Sequence, residues 1–142
     1  MLRETDAIKD GKITDKGALS GIKVLDLTRY LSGPQTTLFL GALGAEVLKI
    51  DDPHQGDPVR NSPPFFGKDG VSMSKASPLD IGIAYLKRAR SKKSIELDLK
   101  SEDGINTFMR LAEKADVIVE NFRVGVTLSL IHISEPTRQA SI

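Results

Sequence analysis

Residues 21–51 read GIKVLDLTRYLSGPQTTLFLGALGAEVLKID, and this stretch decides the fold class. Its first seven residues, 21–27, form a short apolar run with β-branched side chains, which is typical of a buried strand. Pro34 suits the first turn of a helix, where its missing N–H has no partner to lose, and Gly44 suits the left-handed end of that helix. Residues 46–50 predict a second strand. Two strands joined by one helix indicate a βαβ unit with a right-handed crossover and a parallel sheet.

The segment that follows these strands is irregular and precedes a second helix. Residues 53–76 contain four Pro and three Gly and keep no hydrophobic period, which predicts a functional loop, a segment packed on another chain, or disorder. Ser77 is a candidate N-cap, with Pro78 as the first helical residue and Asp80 as the capping-box partner. The predicted apolar face of this helix comprises Leu79, Ile83 and Leu86.

A third helix between two further strands completes the pattern. Residues 94–99 alternate apolar and polar side chains, which is typical of a half-exposed strand, and residues 115–120 predict a buried strand. Ser101 is a candidate N-cap of the helix between them, with two acidic residues directly after it. The order of elements predicts an α/β fold, namely a truncated Rossmann-like parallel sheet with flanking helices.

The composition excludes several kinds of site and partner. The 142-residue chain has no Cys, which excludes a thiolate nucleophile, a Cys-ligated zinc site and disulfides. It has two histidines, His54 and His132, and we predict no metal site. Twenty basic and nineteen acidic residues leave a net charge of +1, so we expect neither nucleic acid nor an anionic membrane as a partner. Because the sequence shows neither a signal core nor a membrane-length apolar run, we expect a cytoplasmic protein, with the mitochondrion as the alternative in a eukaryote.

Both ends of the chain differ from the predicted domain of residues 21–127. Residues 1–20 carry four acidic side chains and no apolar core, and we expect them to be a solvated N-terminal extension. Residues 128–142 read LSLIHISEPTRQASI and match the in-frame translation of a sequencing-library adaptor as far as Arg138. We therefore expect residues 128–142 to be a non-native tail and exclude them from the predicted fold.

The turn after the first strand, residues 28–34, is a candidate ligand site. Ligands of open parallel sheets bind beyond the carboxyl ends of the strands, where N–H groups and the helix dipole favour phosphate. The turn lacks both the G-x-G-x-x-G fingerprint and a P-loop lysine, and Gly33 equally fits an ordinary βα turn. Asn121 and Phe122 end another strand at the same edge. They fit either ligand binding, by hydrogen bonds and stacking, or a turn followed by a core aromatic.

Two charged motifs also leave alternatives open. Residues 87–93, the basic run, hold five cations, which fits a solvated helix end, a phosphate-bearing ligand or nucleic acid. Asp51 and Asp52 follow the second strand and fit either a ribose contact or a turn, and the missing glycine fingerprint favours the turn. His54, alone in a loop rich in Pro and Gly, is expected to be a surface histidine.

Four blocks of the sequence share their order and spacing with one known family. The blocks are GIKVLDLTRYLSGP (21–34), LGALGAEVLKID (40–51) followed by GDPVR (56–60), SKKSIELDLKSEDG (91–104) and ADVIVENFRVG (115–125). Together they resemble the opening segment of the class III coenzyme A transferases, the CaiB/BaiF family. PPFFG (63–67) and GDPVR are similar to its succinyl-CoA–glutarate branch or a related dicarboxylate branch. The chain is thus identified as an N-terminal fragment of such a transferase.

The resemblance implies a substrate pair and a set of contacts. The substrates are an acyl-CoA and a small carboxylic acid, with CoA lying along the strand ends. By position in the family's motifs, the CoA contacts are Tyr30, Leu31, Ser32, Leu97, Lys100, Asn121, Phe122 and Arg123. A basic family position after the second strand is Asp52 here, a departure for which the basic run is a candidate replacement. The resemblance also implies an interlocked homodimer, which would account for the irregular segment 53–76.

The resemblance further implies catalysis by an aspartate nucleophile. Its carboxylate attacks the acyl-CoA thioester to give a mixed anhydride and a CoA thiolate, and the acceptor carboxylate and that thiolate complete the exchange. No Asp in this chain occupies that aspartate's motif, so no catalytic residue is assigned and we expect the chain to be inactive. Two alternatives stay open: a 2-methylacyl-CoA racemase of the same family, which uses a His and an acid for proton transfer, and a non-enzymatic basic interaction module.

Overall fold

The computed structural model describes residues 17–123 and two short strands before them. These strands, Ile8–Lys9 (β1) and Lys12–Ile13 (β2), pair antiparallel within the predicted N-terminal extension. The predicted adaptor-derived tail, residues 128–142, lies outside the described residues. Among the helices described, none has the length and apolar character that crossing a membrane requires.

The described domain alternates strands and helices. In chain order its elements are β3 (Lys23–Asp26), α1 (Ser32–Ala42), β4 (Glu46–Asp51), a 3₁₀ turn (Pro58–Asn61), β5 (Phe65–Gly67), β6 (Gly70–Ser72), β7 (Ile81–Gly82), α2 (Ile83–Ala89), β8 (Lys92–Glu96), α3 (Glu102–Ala112) and β9 (Val117–Val119). The unit β3–α1–β4 has the predicted form, and Gly44 adopts the left-handed conformation (φ 101°) just after α1.

Four strands form a parallel sheet in the order β8–β4–β3–β9. Numbered along the chain within this sheet, the order is 3-2-1-4, as in the first four strands of a Rossmann fold. The predicted Rossmann-like α/β fold is therefore confirmed. The strand order reverses between β3 and β9, and ligands of such sheets bind at the carboxyl ends of the strands that flank this reversal.

The two faces of the parallel sheet carry different helices and separate apolar clusters. On one face, Leu25, Leu27 and Ile50 pack with Phe108 of α3. The cluster on the other face contains residues from β3, β4 and α1, namely Val24, Ala45, Val47 and Leu40. Leu19 also contacts this second cluster, although it lies in the predicted extension. The packed part of the domain therefore begins before residue 21.

The segment 53–76, predicted to be irregular, contains a 3₁₀ turn and most of a small antiparallel sheet. β5 and β6 form a hairpin, and β7 pairs with the other edge of β5. Asp57 is the N-cap of the 3₁₀ turn, and its carboxylate accepts the N–H of Val59 at 3.1 Å. The prediction of an irregular segment was wrong here, since strands of two or three residues are too short to show an alternating pattern.

The second helix begins later than predicted. One bond of the expected capping box forms, because Asp80 Oδ2 accepts the Ser77 N–H at 2.9 Å, together with the Ala76 N–H at 2.8 Å. The other does not, since the Ser77 hydroxyl accepts the N–H of Leu79 instead of that of Asp80. These bonds close a turn, after which the chain enters β7, and α2 starts only at Ile83. Leu79, predicted to lie on the buried helix face, is 86% exposed. Strand pairing with β5 therefore overrides the local preference for helix.

The elements after α2 agree more closely with the prediction, except that the strand predicted to be buried at residues 115–120 is the edge strand β9, where Val117 and Ile118 are exposed. β8 begins at Lys92, two residues before the predicted start at Ser94. Ser101 Oγ accepts the N–H of Gly104 at 3.0 Å and caps α3, as predicted. Ile105 and Phe108 of this helix are buried.

Candidate functional site at the strand ends

The eight residues predicted to contact CoA lie at one edge of the parallel sheet. They follow β3 (Tyr30, Leu31, Ser32), β8 (Leu97, Lys100) and β9 (Asn121, Phe122, Arg123). Because the strands are parallel, all eight positions share the carboxyl edge. β3 and β9 are neighbours, whereas β8 lies two strands away from β3, about 10 Å at the usual strand spacing. The predicted site thus consists of two adjacent turns and one more distant turn.

Six of these eight residues are exposed and two are half-buried. Leu97 and Phe122 pack against the apolar cluster on the α3 face, so the structure gives Phe122 the role of a core aromatic. Tyr30 and Leu31 are 59% and 58% exposed, although both side chains are large and mainly apolar. Such adjacent apolar exposure is typical of a surface that contacts a ligand or a partner.

The first turn of α1 follows Tyr30 and carries no side-chain cap. Leu31 occupies the N-cap position and makes no side-chain capping bond, and no acidic residue lies in the first turn of the helix. At the equivalent place after β8, Ser101 caps α3 and is followed by Glu102 and Asp103. Since the first N–H groups of a helix attract negative charge, the α1 start offers hydrogen-bond donors to an anionic group.

Asn121 joins the end of β9 to the turn after β3. Its Oδ1 accepts the N–H of Arg29 at 3.0 Å, and its Nδ2 donates to the Arg29 carbonyl at 2.8 Å. The carboxamide therefore holds one residue of the neighbouring turn by both of its backbone groups. A carboxamide carries a second N–H and further acceptor capacity, so these two bonds do not exhaust it.

A buried ion pair lies beneath this turn. Asp26, the last residue of β3, is 0% exposed in its side chain, and Lys92 of β8 is 2% exposed. Lys92 Nζ donates to Asp26 Oδ2 at 2.9 Å. It also donates to the Pro34 carbonyl at 2.9 Å and to Thr37 Oγ1 at 2.7 Å, both in α1. These three acceptors match the three hydrogens of the ammonium group.

The Asp26 carboxylate is also fully hydrogen-bonded. Its Oδ1 accepts both the N–H (2.9 Å) and the hydroxyl of Thr28, and its Oδ2 also accepts the Thr37 hydroxyl. Burial raises the pKa of Asp26, but hydrogen bonds from Thr28, Thr37 and Lys92 outweigh it and hold that pKa below its ordinary value. Burial lowers the pKa of Lys92, and the contact with Asp26 opposes that shift. The network ties α1 and β8 to the end of β3.

These charged residues were not predicted as functional, although the sequence carries a signal for them. Asp26 ends the buried strand KVLD, and Lys49 interrupts the apolar run of β4 while being only 3% exposed. A charge in a buried strand is costly unless it is paired, so each such residue indicates a buried partner. The partner itself, such as Lys92 for Asp26, depends on the strand order and does not follow from the local sequence.

Asp52 forms a turn, as its position after β4 indicates. Its Oδ1 accepts the N–H groups of His54 and Gln55 at 2.8 and 3.2 Å, and its Oδ2 accepts from Arg29 Nη2 at 3.3 Å. The hydrogen bond from the His54 N–H is the main reason that the pKa of Asp52 lies below its ordinary value, and Arg29 adds to the effect. The His54 side chain is exposed, as expected for a surface histidine.

Three of the five cations in the basic run bind the chain itself. Lys92 belongs to the buried ion pair. Arg88 donates to the Ala84 carbonyl and Arg90 to the Lys87 carbonyl, both at 3.1 Å, near the carboxyl end of α2. Cations are favoured there by the helix dipole. Among the alternatives for the basic run, these contacts support the helix end.

Gly33 serves close packing at the start of α1. A Cβ placed on it would lie 2.3 Å from the Cβ of Thr28. A residue larger than glycine would therefore push α1 away from the end of β3, where Thr28 is fully buried. This steric requirement explains a single glycine in a turn that lacks the dinucleotide fingerprint.

A groove lies at the opposite, amino edge of the sheet. Its volume is about 600 Å³, and it is lined mainly by the first residues of β3, β4 and β8 and by the last turn of α3. Its lining is mostly apolar, which is typical of a packing surface. Within residues 17–123, no three His, Cys, Asp or Glu side chains cluster as a metal site requires.

Comparisons with known proteins point to one family. The family model described as CoA-transferase family III matches residues 19–137. The alpha subunit of succinyl-CoA–L-malate CoA-transferase from Chloroflexus aurantiacus is 40% identical over 123 residues, which are 87% of this chain and 26% of that protein. Succinyl-CoA:glutarate CoA-transferase from Homo sapiens is 42% identical over 108 residues, 75% of this chain and 22% of that protein. The chain thus spans about a quarter of the length of these relatives.

A solved structure agrees with these matches. A CaiB/BaiF family protein from Brucella suis superimposes with a TM-score of 0.68 and 33% sequence identity, over 81% of this chain and 28% of that one. From its sequence blocks, its sheet and these comparisons, the chain belongs to CoA-transferase family III, the CaiB/BaiF family.

Proposed function

We propose that this chain supplies CoA-binding elements of an enzyme that moves CoA from an acyl-CoA donor to a carboxylic acid acceptor. One observation carries the proposal. The uncapped start of α1 follows β3, beside the point where the strand order reverses. Helix starts at such points bind phosphate groups in open parallel sheets. CoA carries a diphosphate and a 3′-phosphate, and both need N–H and cationic partners.

The proposed contacts are those of the family's motifs. They comprise Tyr30, Leu31 and Ser32 at the α1 start, Leu97 and Lys100 after β8, and Asn121, Phe122 and Arg123 after β9. Lys100 and Arg123 are exposed cations at the carboxyl edge, which supports a role in phosphate binding. Leu97 and Phe122 are half-buried, so we propose that they contact the ligand through the part of each side chain that is exposed to solvent. No metal is assigned to this site.

The acceptor in this proposal is a dicarboxylic acid. It is supported by the names of two relatives, which transfer CoA from succinyl-CoA to L-malate and to glutarate. In the proposed mechanism, an aspartate carboxylate attacks the thioester carbonyl, the C–S bond breaks, and CoA leaves as a thiolate while a mixed anhydride forms. No Asp of this chain matches the motif of that aspartate, so we propose that the chain alone does not turn over.

We also propose that the parent protein is an interlocked homodimer. Supporting this, several large apolar residues in and around the antiparallel sheet are more than half exposed, namely Phe66, Val71, Met73 and Leu79. Apolar exposure of this extent suits a surface that a second chain covers. Light scattering on the parent protein would return twice the chain mass, and a monomer would contradict the proposal. Nucleic acid is not a proposed partner, since three cations of the basic run are bound internally.

Two measurements test the function. Calorimetric titration of the purified chain with CoA should give saturable binding, whereas DNA should give none. For the parent protein, we expect succinyl-CoA to be consumed only when a dicarboxylate acceptor is added. The CoA thioester of that acceptor should form at the same rate. A 2-methylacyl-CoA racemase would instead exchange the α-proton of its substrate with solvent deuterium and need no acceptor. Absence of CoA binding by the chain would contradict the proposal.

A further inference from the structure

The peptide group between Thr28 and Arg29 is held at both ends by side chains from outside the turn. Lys49 Nζ, from β4, donates to the Thr28 carbonyl at 2.8 Å. Asn121 Oδ1, from beyond β9, accepts the Arg29 N–H at 3.0 Å. Two different strands therefore fix the orientation of this peptide.

The next peptide group, between Arg29 and Tyr30, is held in the same way. Asn121 Nδ2 donates to the Arg29 carbonyl at 2.8 Å, and Asp57 Oδ1 accepts the Tyr30 N–H at 3.3 Å. Tyr30 has a φ of 71°, in the left-handed region that non-glycine residues rarely adopt. The surrounding bonds favour this conformation, which directs the chain from β3 into the first turn of α1.

The two charged members of this arrangement are buried. The side chains of Lys49 and Asp57 are each 3% exposed, and Lys49 Nζ lies 3.8 Å from Asp57 Oδ2 and 3.1 Å from Asp51 Oδ1. Buried hydrogen bonds that involve a charged group are stronger than those between neutral groups. Asp57 and Lys49 are therefore rigid supports that a ligand at the exposed edge would not touch directly.

We propose that Lys49 and Asp57 are positioning residues, which together with the proposed contact residue Asn121 hold the turn after β3 in the geometry that binds CoA. The inference rests on the proposed function and adds residues that act through the backbone rather than through the ligand, Lys49 and Asp57 above all. A turn fixed before binding loses less conformational freedom when the ligand arrives. Affinity for CoA should therefore depend on side chains that never contact it.

Asp57→Leu and Asp80→Leu form a matched pair of variants. Both aspartates are buried and both accept backbone N–H groups, but Asp57 holds Tyr30 whereas Asp80 holds Ala76 and Ser77. We expect Asp57→Leu to weaken CoA binding about tenfold in calorimetric titrations. Asp80→Leu should bind CoA as the wild type does, although both variants unfold at a lower temperature. Asp57→Asn keeps an acceptor for the Tyr30 N–H and should restore most of the affinity.

A second pair covers the case in which a leucine variant fails to fold. Asn121→Ala removes a side-chain bond to the Arg29 N–H, at the carboxyl edge of the sheet. Asp116→Ala removes a similar bond to the Lys23 N–H, at the amino edge. Only Asn121→Ala should lose affinity for CoA, and because Asn121 is also a proposed CoA contact, the Asp57 pair is the one that measures positioning alone. Equal CoA affinity across either folded pair would overturn the positioning role while leaving the proposed function intact. A wild-type chain that does not bind CoA would overturn the proposed function, and the positioning role with it.

Discussion

The two eleven-residue helices of this domain begin at the same edge of the sheet but differ in how their first turns are satisfied. α3 follows β8 and is capped by Ser101, with Glu102 and Asp103 balancing its dipole. α1 follows β3 and has neither a cap nor an acidic residue in its first turn. The chain caps the α3 start with its own side chain and leaves the α1 start, beside the strand-order reversal, uncapped.

The α1 start is stabilised instead by buried side chains of the parallel sheet. Lys92 donates to the Pro34 carbonyl and the Thr37 hydroxyl, and Asp26 accepts from Thr37, so a buried ion pair holds the first turns of α1. The comparison teaches that a helix start can stay uncapped when the helix is secured from its buried side.

The largest expected effect comes from breaking that support. Asp26→Asn should destabilise the domain by about 3–5 kcal/mol, because Lys92 would stay buried without a counter-charge. Replacing both partners, as in Asp26→Leu with Lys92→Met, should recover much of the loss, since no unpaired charge remains. Urea unfolding of the single and double variants measures this. A double variant as unstable as the sum of the singles would contradict the account.

The same ion pair predicts a pH dependence. The pKa of Asp26 is lower in the folded chain than its ordinary value, so the unfolded chain binds more protons in the acid range. Stability should therefore be fully present above the ordinary aspartate pKa and fall as the pH drops through and below it. Asp26→Asn should remove that part of the slope. The measurement is the unfolding midpoint of the wild type and of Asp26→Asn at a series of acid pH values. The same slope of midpoint against pH in both proteins would show that Asp26 is not responsible.

An acid placed at the open helix start should separate stability from binding. Ser32→Asp puts a negative charge in the first turn of α1, where the dipole favours it, so stability should rise or stay level. The same charge repels phosphate and should weaken CoA binding about tenfold. Thermal unfolding and calorimetric titration test the two halves. Unchanged CoA affinity would show that the phosphates bind elsewhere.

The reverse separation is expected at the capped helix. Ser101→Ala removes the bond to the Gly104 N–H and should cost about 1 kcal/mol of stability. CoA affinity should stay at the wild-type level, because this helix start is satisfied by its own chain. The same two assays apply. A loss of affinity comparable to that of Ser32→Asp would erase the difference between the two helices.

Sequence alone predicted the parallel sheet because its strands are apolar runs and its first connection is short. The α1 and α3 signals, Pro34 and Ser101, are local and were read correctly. The antiparallel sheet and the late start of α2 were not predicted, since they depend on the pairing of β7 with β5. Pairing between distant short segments leaves almost no local pattern.

The candidate site shows the same division. Its position at the carboxyl edge follows from strand direction, and its residues could be taken from the family's motifs. The supports beneath it, Asp26 with Lys92 and Lys49 with Asp57, join segments that are far apart in sequence. Their charges stand out in the sequence, but their pairing becomes visible only once the strand order is known.

The most direct test of the central claim is amide hydrogen exchange of the wild-type chain with and without CoA. The account predicts that CoA slows exchange at residues 31–33, the open start of α1, and leaves residues 102–104, the capped start of α3, unchanged. Protection at the α3 start alone, or none at residues 31–33 under saturating CoA, would contradict it.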